Sequence, residues 1–244
     1  ALPIYPVSTD RIALLQNLVD ASPYSNLRDS PEDQYALDMI RAKLRGYIER
    51  PEVALRRYAA SDDSKPAHYA RAMAYYRLPD MNKALAEMQS LLKDEPDNPY
   101  FLEMLGQIKV EMGKIEEGIT AYQQSVKVLP DAPLIRVALG AALISSENPR
   151  YIDQGIAELE LSLAQERDNA FAWYELAQGY SRKGNNPKAE LATAERYFAL
   201  EAYQPAIQFA GRAQRVLRQG STDWQRAADI LSIAQVQARD QRNR

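Results

Sequence analysis

Residues 95–101 read EPDNPYF and residues 166–172 read ERDNAFA, the same acidic and polar helix-start phrase written twice at a distance of 71 residues. Packing around a single core gives no reason for such an echo, whereas a stack of similar units does. The rest of the chain is compatible with such a stack. Only 10 glycines occur in 244 residues, and long stretches of Ala, Leu, Glu, Gln and Arg favour helix almost throughout. No run of 18 or more apolar residues is present, so no membrane span is expected.

The units align on the 34-residue pattern W-x2-L-G-x2-Y … A-x3-F … P. A first unit begins at Lys65, with His68, Arg71, Ala72 and Tyr75 in its first helix, Ala84, Met88 and Leu91 in its second, and Pro96 closing it. A second begins at Pro99, with Leu102, Leu105, Gly106, Gly118, Tyr122, Ser125 and Pro130. A third begins at Pro133, with Leu139, Gly140, Gly155, Leu159 and Ser162; the stretch SSENPRYIDQG lengthens its inner turn by three residues. A fourth begins at Ala170, with Trp173, Leu176, Ala177, Tyr180, Gly184 and Ala189. Two units of 34 and the three-residue insertion account for the spacing of 71.

The small pairs Ala72/Ala84 and Gly106/Gly118 fall where two helices must cross closely, and the large apolar positions fill the groove toward the next helix. Asp97, Asn98 and Pro99 make a helix start of polar cap and N-terminal proline. Asp131 with Pro133 is expected to repeat that device, and Asp168 with Asn169 to give a version without the proline. The array resembles the tetratricopeptide repeat (TPR). The expected fold is therefore an all-α, TPR-type solenoid, a right-handed superhelix of helix pairs. Its units lie near 65–98, 99–132, 133–169 and 170–203, followed by final helices over 204–240.

Residues 1–64 do not fit the repeat and are expected to form a helical cap. Ser8, Thr9 and Asp10 would cap a short helix carrying Ile12, Leu15, Leu18 and Val19. Ser30 and Pro31 would start another running to about Glu49, and Pro51 would open one or two further turns. These helices are expected to pack on the first unit. At the other end, STDWQRAADILSIAQVQARDQ reads as a capping helix with Trp224, Ala227, Ile230 and Leu231 on one face, polar on the other, as a solenoid terminus requires. Ala1 is not an initiator Met, which suggests a processed or trimmed piece of something longer.

Little chemistry is on offer. The chain holds one histidine, His68, and no cysteine. HExxH, thiol catalysis and Cys-ligated zinc are excluded, and no Gly-rich phosphate loop occurs, so neither a catalytic site, a metal nor a cofactor is expected. His68 stands where the repeat places a large packing residue. Glu116/Glu117 and Glu158/Glu160 lie on different helical faces and make no acid/base pair. Net charge of −3 gives no general attraction to nucleic acid, although residues 208–244 carry seven Arg against three Asp, and residues 41–57 six basic residues against two Glu. Both basic stretches read as solvated faces, or as a docking surface for an acidic partner.

The first helix of each pair builds the concave face. Unit positions 2, 5, 9, 12 and 13 give Tyr69, Met73, Tyr76 and Arg77, then Tyr100, Glu103, Gln107 and Glu111, then Phe171, Tyr174, Gln178 and Arg182, with Leu134, Val137, Ala141 and Ile144 from the third unit. An aromatic, amide-rich groove of mixed charge suits an extended or helical peptide of a partner protein. Alternatively, a second domain or the chain's own ends cover part of it. Tyr69, Glu103 and Tyr174 stand where a carboxylate clamp would carry Lys, so a C-terminal-carboxylate receptor is not expected.

Beyond the repeat, STDRIALLQ (8–16), YALDMIRAKLRGY (35–47), ALRRY (54–58) and PAHYARAMAYYRLPDMNKAL (66–85) resemble, in that order, the C-terminal half of BepA-type bacterial HExxH zinc metallopeptidases. In that family a His-Pro precedes a short RI-containing helix; here Pro6 and Arg11–Ile12 match, and Tyr5 stands in the histidine's place. The resemblance implies a periplasmic parent protease with a TPR tail, acting in outer-membrane protein assembly and quality control. The tail would recruit substrates or the assembly machinery beside its own protease domain. The alternative is a stand-alone TPR adaptor, cytoplasmic or periplasmic. Nucleic-acid binding through the basic C-terminal helix is the third class.

Overall fold

Helix caps and crossing points written into the repeat set the architecture. The computed structural model describes residues 9–242, and the expectations placed on Tyr5, Pro6 and Ser8 lie outside them. The described residues form α1 (Thr9–Asp20), α2 (Pro31–Ile48), α3 (Pro51–Arg57), α4 (Lys65–Arg77), α5 (Met81–Asp94), α6 (Pro99–Glu111) and α7 (Ile115–Val128). They continue with α8 (Pro133–Ser145), a 3-10 turn (Pro149–Tyr151), α9 (Ile152–Gln165), α10 (Ala170–Arg182), α11 (Asn186–Ala199), α12 (Tyr203–Val216) and α13 (Thr222–Arg242). No strand occurs among them. The fold is an all-α, TPR-type solenoid, with pairs α4/α5, α6/α7, α8/α9 and α10/α11 at the expected spacing.

Three of the four pairs open on a short polar side chain where the first backbone N–H groups lack partners. Asn98 accepts from Tyr100 N–H at 3.1 Å, Asn169 from Ala172 N–H at 3.0 Å, and Ser64 from Ala67 N–H at 3.4 Å. The third pair departs from expectation: the N-cap of α8 is Ala132, with no side-chain cap. There Pro133 at N1 has no N–H to satisfy, and Asp131, one residue before the cap, makes no capping bond. Within pairs the crossing is tight. A Cβ on Gly106 would lie 2.8 Å from the Tyr122 ring, and one on Gly118 would lie 2.9 Å from the Gly106 carbonyl oxygen. Two fully buried serines lock the pairs: Ser125 donates to the Pro99 carbonyl at 2.7 Å and Ser162 to the Pro133 carbonyl at 2.9 Å.

The N-terminal segment does more than cap one end. Helix α2 runs parallel to α4: Tyr35 near its start donates to Glu95 at 2.8 Å beside Lys65, and the carbonyl of Glu49, just past its end, accepts from Arg77 at the other end. Ala42 and Gly46, one turn apart and buried, let the two helices touch. Helix α3 supports α2 and α4. Helix α1 behaves otherwise than expected: residues 11–20 are all exposed, so its apolar face of Ile12, Leu15, Leu18 and Val19 is not buried on the first unit. Its ten-residue connection to α2 carries it away from that surface.

His68 also departs from its packing role. Its Nδ1 lies 2.5 Å from Glu87 and its Nε2 2.9 Å from Asp63, beside the buried Arg71. Arg71 holds Glu87 at 2.8 Å and donates to the carbonyls of Ala59 and Asp62, tying the segment before α4 to the α4/α5 pair. The position that a large apolar residue would fill is instead a polar lock.

At the other end, α13 lays Ala227, Ile230 and Ala234 against Ala206, Ala210 and Ala213 of α12 and Ala194 of α11. Alanines on both sides permit a close, extensive contact, which closes the stack.

Candidate functional site

The groove expected along the first helices is divided by α2. Tyr69 and Met73 are buried, 3% and 4% exposed, beneath Ala42 and Gly46 of α2 rather than open to a partner. Tyr69 packs edge-on against Phe101 at 5.2 Å between ring centroids, and its hydroxyl has no hydrogen-bond partner. Burial pushes that hydroxyl well above the ordinary tyrosine range. Arg77 is exposed, but its guanidinium is held by the Glu49 carbonyl and lies over the Tyr47 ring. The chain's own N-terminal segment thus occupies the concave side of the first unit. A 3.6-residue pattern reports which face of α2 is apolar, not which partner that face meets.

The second unit presents a polar ladder. Gln107 donates to the Tyr76 hydroxyl at 2.9 Å, and Tyr76 donates to Glu111 at 3.2 Å. Burial and the Glu111 carboxylate push Tyr76 up to about 12, so it remains a protonated donor at neutral pH. Glu103 is bridged by Lys43 of α2 at 3.4 Å, and Lys43 also lies over the half-exposed Tyr100 ring at 5.4 Å. Three of these residues come from one helix because positions 5, 9 and 13 of α6 share a face.

Exposed apolar side chains recur at one register along the second, third and fourth units. Tyr100, Leu134 and Phe171, each at position 2, are 50%, 61% and 55% exposed. Val137 and Ile144, also expected in the groove, are buried between α8, α9 and α10. Arg182 donates to the carbonyls of Ile144 and Ser146, capping the end of α8 and fixing the third pair to the fourth. That geometry gives it a positioning task.

Tyr174 and Gln178 come together in a cavity of about 430 Å³ walled by α10, α11 and α12. Gln178 donates to the Tyr174 hydroxyl at 2.9 Å. The remaining lining includes Ala177, Thr193, Arg196, Glu190 and Phe209, most of which the sequence reading did not single out. The Arg196 guanidinium lies 4.8 Å from the Tyr174 ring centroid and 5.5 Å from that of Tyr197. Glu190 is paired with Arg212 at 2.8 Å, and Arg212 in turn lies 4.0 Å over the Phe209 ring.

A second cavity, of about 500 Å³, lies between α9, α10, α11 and α13, with Trp173 and Leu176 in its wall. Several of its charges are paired: Arg226 grips the buried Glu195 at 2.5 and 2.7 Å, and Lys188 approaches Asp223 at 3.7 Å. Among the described residues no group of three or more His, Asp or Glu is arranged to hold a metal, and no helix is long and apolar enough to cross a membrane.

No protein-family model matches the sequence. The chain is similar to the beta-barrel assembly-enhancing protease of Escherichia coli (strain K12), 24% identical over 176 residues, which cover 72% of this chain and 35% of that protein. The Shigella flexneri protein of the same name matches equally. The chain thus spans about one third of the length of these relatives. Among solved structures it is similar to YrrB, described as a TPR protein with an unusual peptide-binding site, with a TM-score of 0.56 and 19% identity, covering 83% of this chain and 98% of that one. MamA from Desulfovibrio magneticus RS-1 gives a TM-score of 0.53 and 18% identity, covering 73% and 97%. These structural likenesses bear on the fold: the chain stacks helix pairs as TPR proteins do.

Proposed function

We propose that this chain is a non-catalytic protein-interaction module that captures a peptide segment of a partner on the concave side of its second to fourth units. The observation that carries the reading is the exposed row Tyr100, Leu134 and Phe171 leading to the open cavity at Tyr174. Apolar side chains repeated once per unit and left in water fit an extended partner that buries one residue against each. The peptide-binding description of the structurally similar YrrB agrees with this use of the fold.

At a finer level, the module is the TPR region of an exported metallopeptidase resembling the beta-barrel assembly-enhancing protease, working in the periplasm and recruiting substrates or assembly partners for a protease domain. The ordered sequence resemblance and the 24% identity support this. A stand-alone TPR scaffold uses the same groove and differs only in what is attached. Substituting Tyr100 and Phe171 together by Ala tests the groove. Capture of unfolded outer-membrane β-barrel protein in a pull-down should fall severalfold while the thermal midpoint holds. Undiminished capture by the folded double variant would refute the groove reading.

A further inference from the structure

The fourth unit breaks its own repeat at two positions that face the first helix of the pair. At position 24, unit one has Met88, unit two Tyr122 and unit three Leu159, all buried; unit four has Thr193. At position 27 the first three units have the buried Leu91, Ser125 and Ser162; unit four has Arg196. A large filler is thus replaced by a short polar residue, and a buried side chain, a locking serine in units two and three, by a long cation. The about 430 Å³ cavity is the space this exchange leaves, since both new residues line it opposite Ala177 and Tyr174. Departures from an otherwise consistent pattern concentrate where function outweighs stability.

The cavity has a definite charge. Among the described residues the Arg196 guanidinium lies over two aromatic rings and has neither an ion-pair nor a hydrogen-bond acceptor. The one carboxylate in the wall, Glu190, is already neutralised by Arg212. Stacking on Tyr174 holds the guanidinium plane without consuming its N–H donors, the arrangement in which arginine reads carboxylates. We infer that this cavity is a specificity subsite for a glutamate or aspartate side chain of the captured peptide. Flanking apolar residues of that peptide would rest on Phe209 and on the Tyr100–Leu134–Phe171 row. The inference rests on the groove reading above and adds the ligand chemistry. An internal side chain fits better than a chain terminus, because a single cation faces the cavity and Tyr174 occupies the position where a terminus-binding groove would add a lysine.

The test uses the full chain and three probes: an end-blocked heptapeptide with a central glutamate between leucines and flanking tyrosines, its glutamine counterpart, and the glutamine peptide with a free C-terminal carboxylate. Isothermal titration calorimetry should show the glutamate peptide binding about tenfold more tightly than the glutamine peptide, a preference that shrinks with added salt. Arg196→Gln should erase the preference, with the glutamate peptide losing more affinity than the glutamine peptide. Thr193→Glu, which places a carboxylate one turn before Arg196, should erase it as well, so the test survives should one variant fail to fold. Equal binding of both blocked peptides, or a preference that persists in the folded variants, overturns the subsite and leaves the groove standing. Preference for the free terminus overturns the side-chain assignment. Absence of binding by every probe, together with capture that survives the Tyr100/Phe171 substitution, removes groove and subsite alike.

Discussion

Gly46 of α2 and Ala70 of α4 lie so close that a methyl group on Gly46 would come within 2.5 Å of the Ala70 carbonyl oxygen. A backbone atom cannot rotate aside as a side chain can, so the contact between the two helices depends on that missing Cβ. Gly46→Leu should push α2 off the first unit and expose Tyr69 and Met73. The expected loss is about 1–3 kcal/mol of stability or more, measured by urea unfolding. Hydrogen exchange should quicken in α2 and α4 and stay unchanged in α10–α13. Uniform protection in the variant would show that α2 is not held through this contact.

Glu95 gathers three donors at the other end of the same interface: Lys65 at 2.7 Å, Tyr35 at 2.8 Å and Asn98 at 2.9 Å. Burial pulls the carboxyl upward, but the bonds from Lys65, Asn98 and Tyr35 outweigh it and hold Glu95 below the usual glutamate range. A folded pKa below the unfolded one adds stability that is fully present above the ordinary value near 4.5 and is lost as pH falls through the folded value. Glu95→Gln should therefore lower the thermal midpoint at pH 7 and flatten its decline below about pH 4.5. A variant whose midpoint runs parallel to that of the parent from pH 7 down to pH 3 would rule this linkage out.

Arg71 and Glu87 pose a different question, because the arginine side chain is 4% exposed and its partner 17%. Removing one member of such a pair leaves the other desolvated, a cost of about 3 kcal/mol or more. Arg71→Leu also strips the Ala59 and Asp62 carbonyls of their donor. The double replacement Arg71→Leu with Glu87→Leu should be less destabilising than the two single losses added together, as a double-mutant cycle would read. Additive losses would mean that the two side chains act independently.

How much of this was open to sequence reading depends on whether a residue obeys the repeat. The crossing at Gly106 and Gly118, the caps at Asn98 and Asn169 and the three-residue insertion before α9 were legible, since the same local chemistry recurs at fixed spacing. The burial of Tyr69 and Met73 was not. Their cover, α2, lies outside the repeat, and an amphipathic helix does not state which surface it will choose. Asp131 was misread because it stands one residue before the N-cap, in the register of Asp97, and the cap position itself is Ala132. The cavity at Tyr174 was half seen: Tyr174 and Gln178 sit on the first helix of a pair, where the template looks for ligand contacts. Thr193 and Arg196 sit on the second, where the template looks only for packing, and a failed packing match was simply a weaker match. The signal was nonetheless present, as a polar and a charged residue at two positions that three earlier units fill with buried side chains.

Those two positions also supply a prediction that separates stability from binding. Thr193→Leu with Arg196→Ser would restore in unit four the filler of Leu159 and the lock of Ser162, whose hydroxyl reaches the Pro133 carbonyl at 2.9 Å. The new leucine has the about 430 Å³ cavity to occupy, and the new serine stands at the register position of Ser125 and Ser162. Reversion to the repeat pattern should raise stability by about 0.5–2 kcal/mol, read as a higher urea midpoint with an unchanged denaturant slope. The same variant should lose its preference for the glutamate peptide, since both the space and the cation are gone. A more stable protein that has lost that preference is what a site kept open at the expense of packing predicts. A variant that is less stable would mean that the stacking of Arg196 on Tyr174 and Tyr197 is itself the packing solution of this unit, with no vacancy left for a ligand.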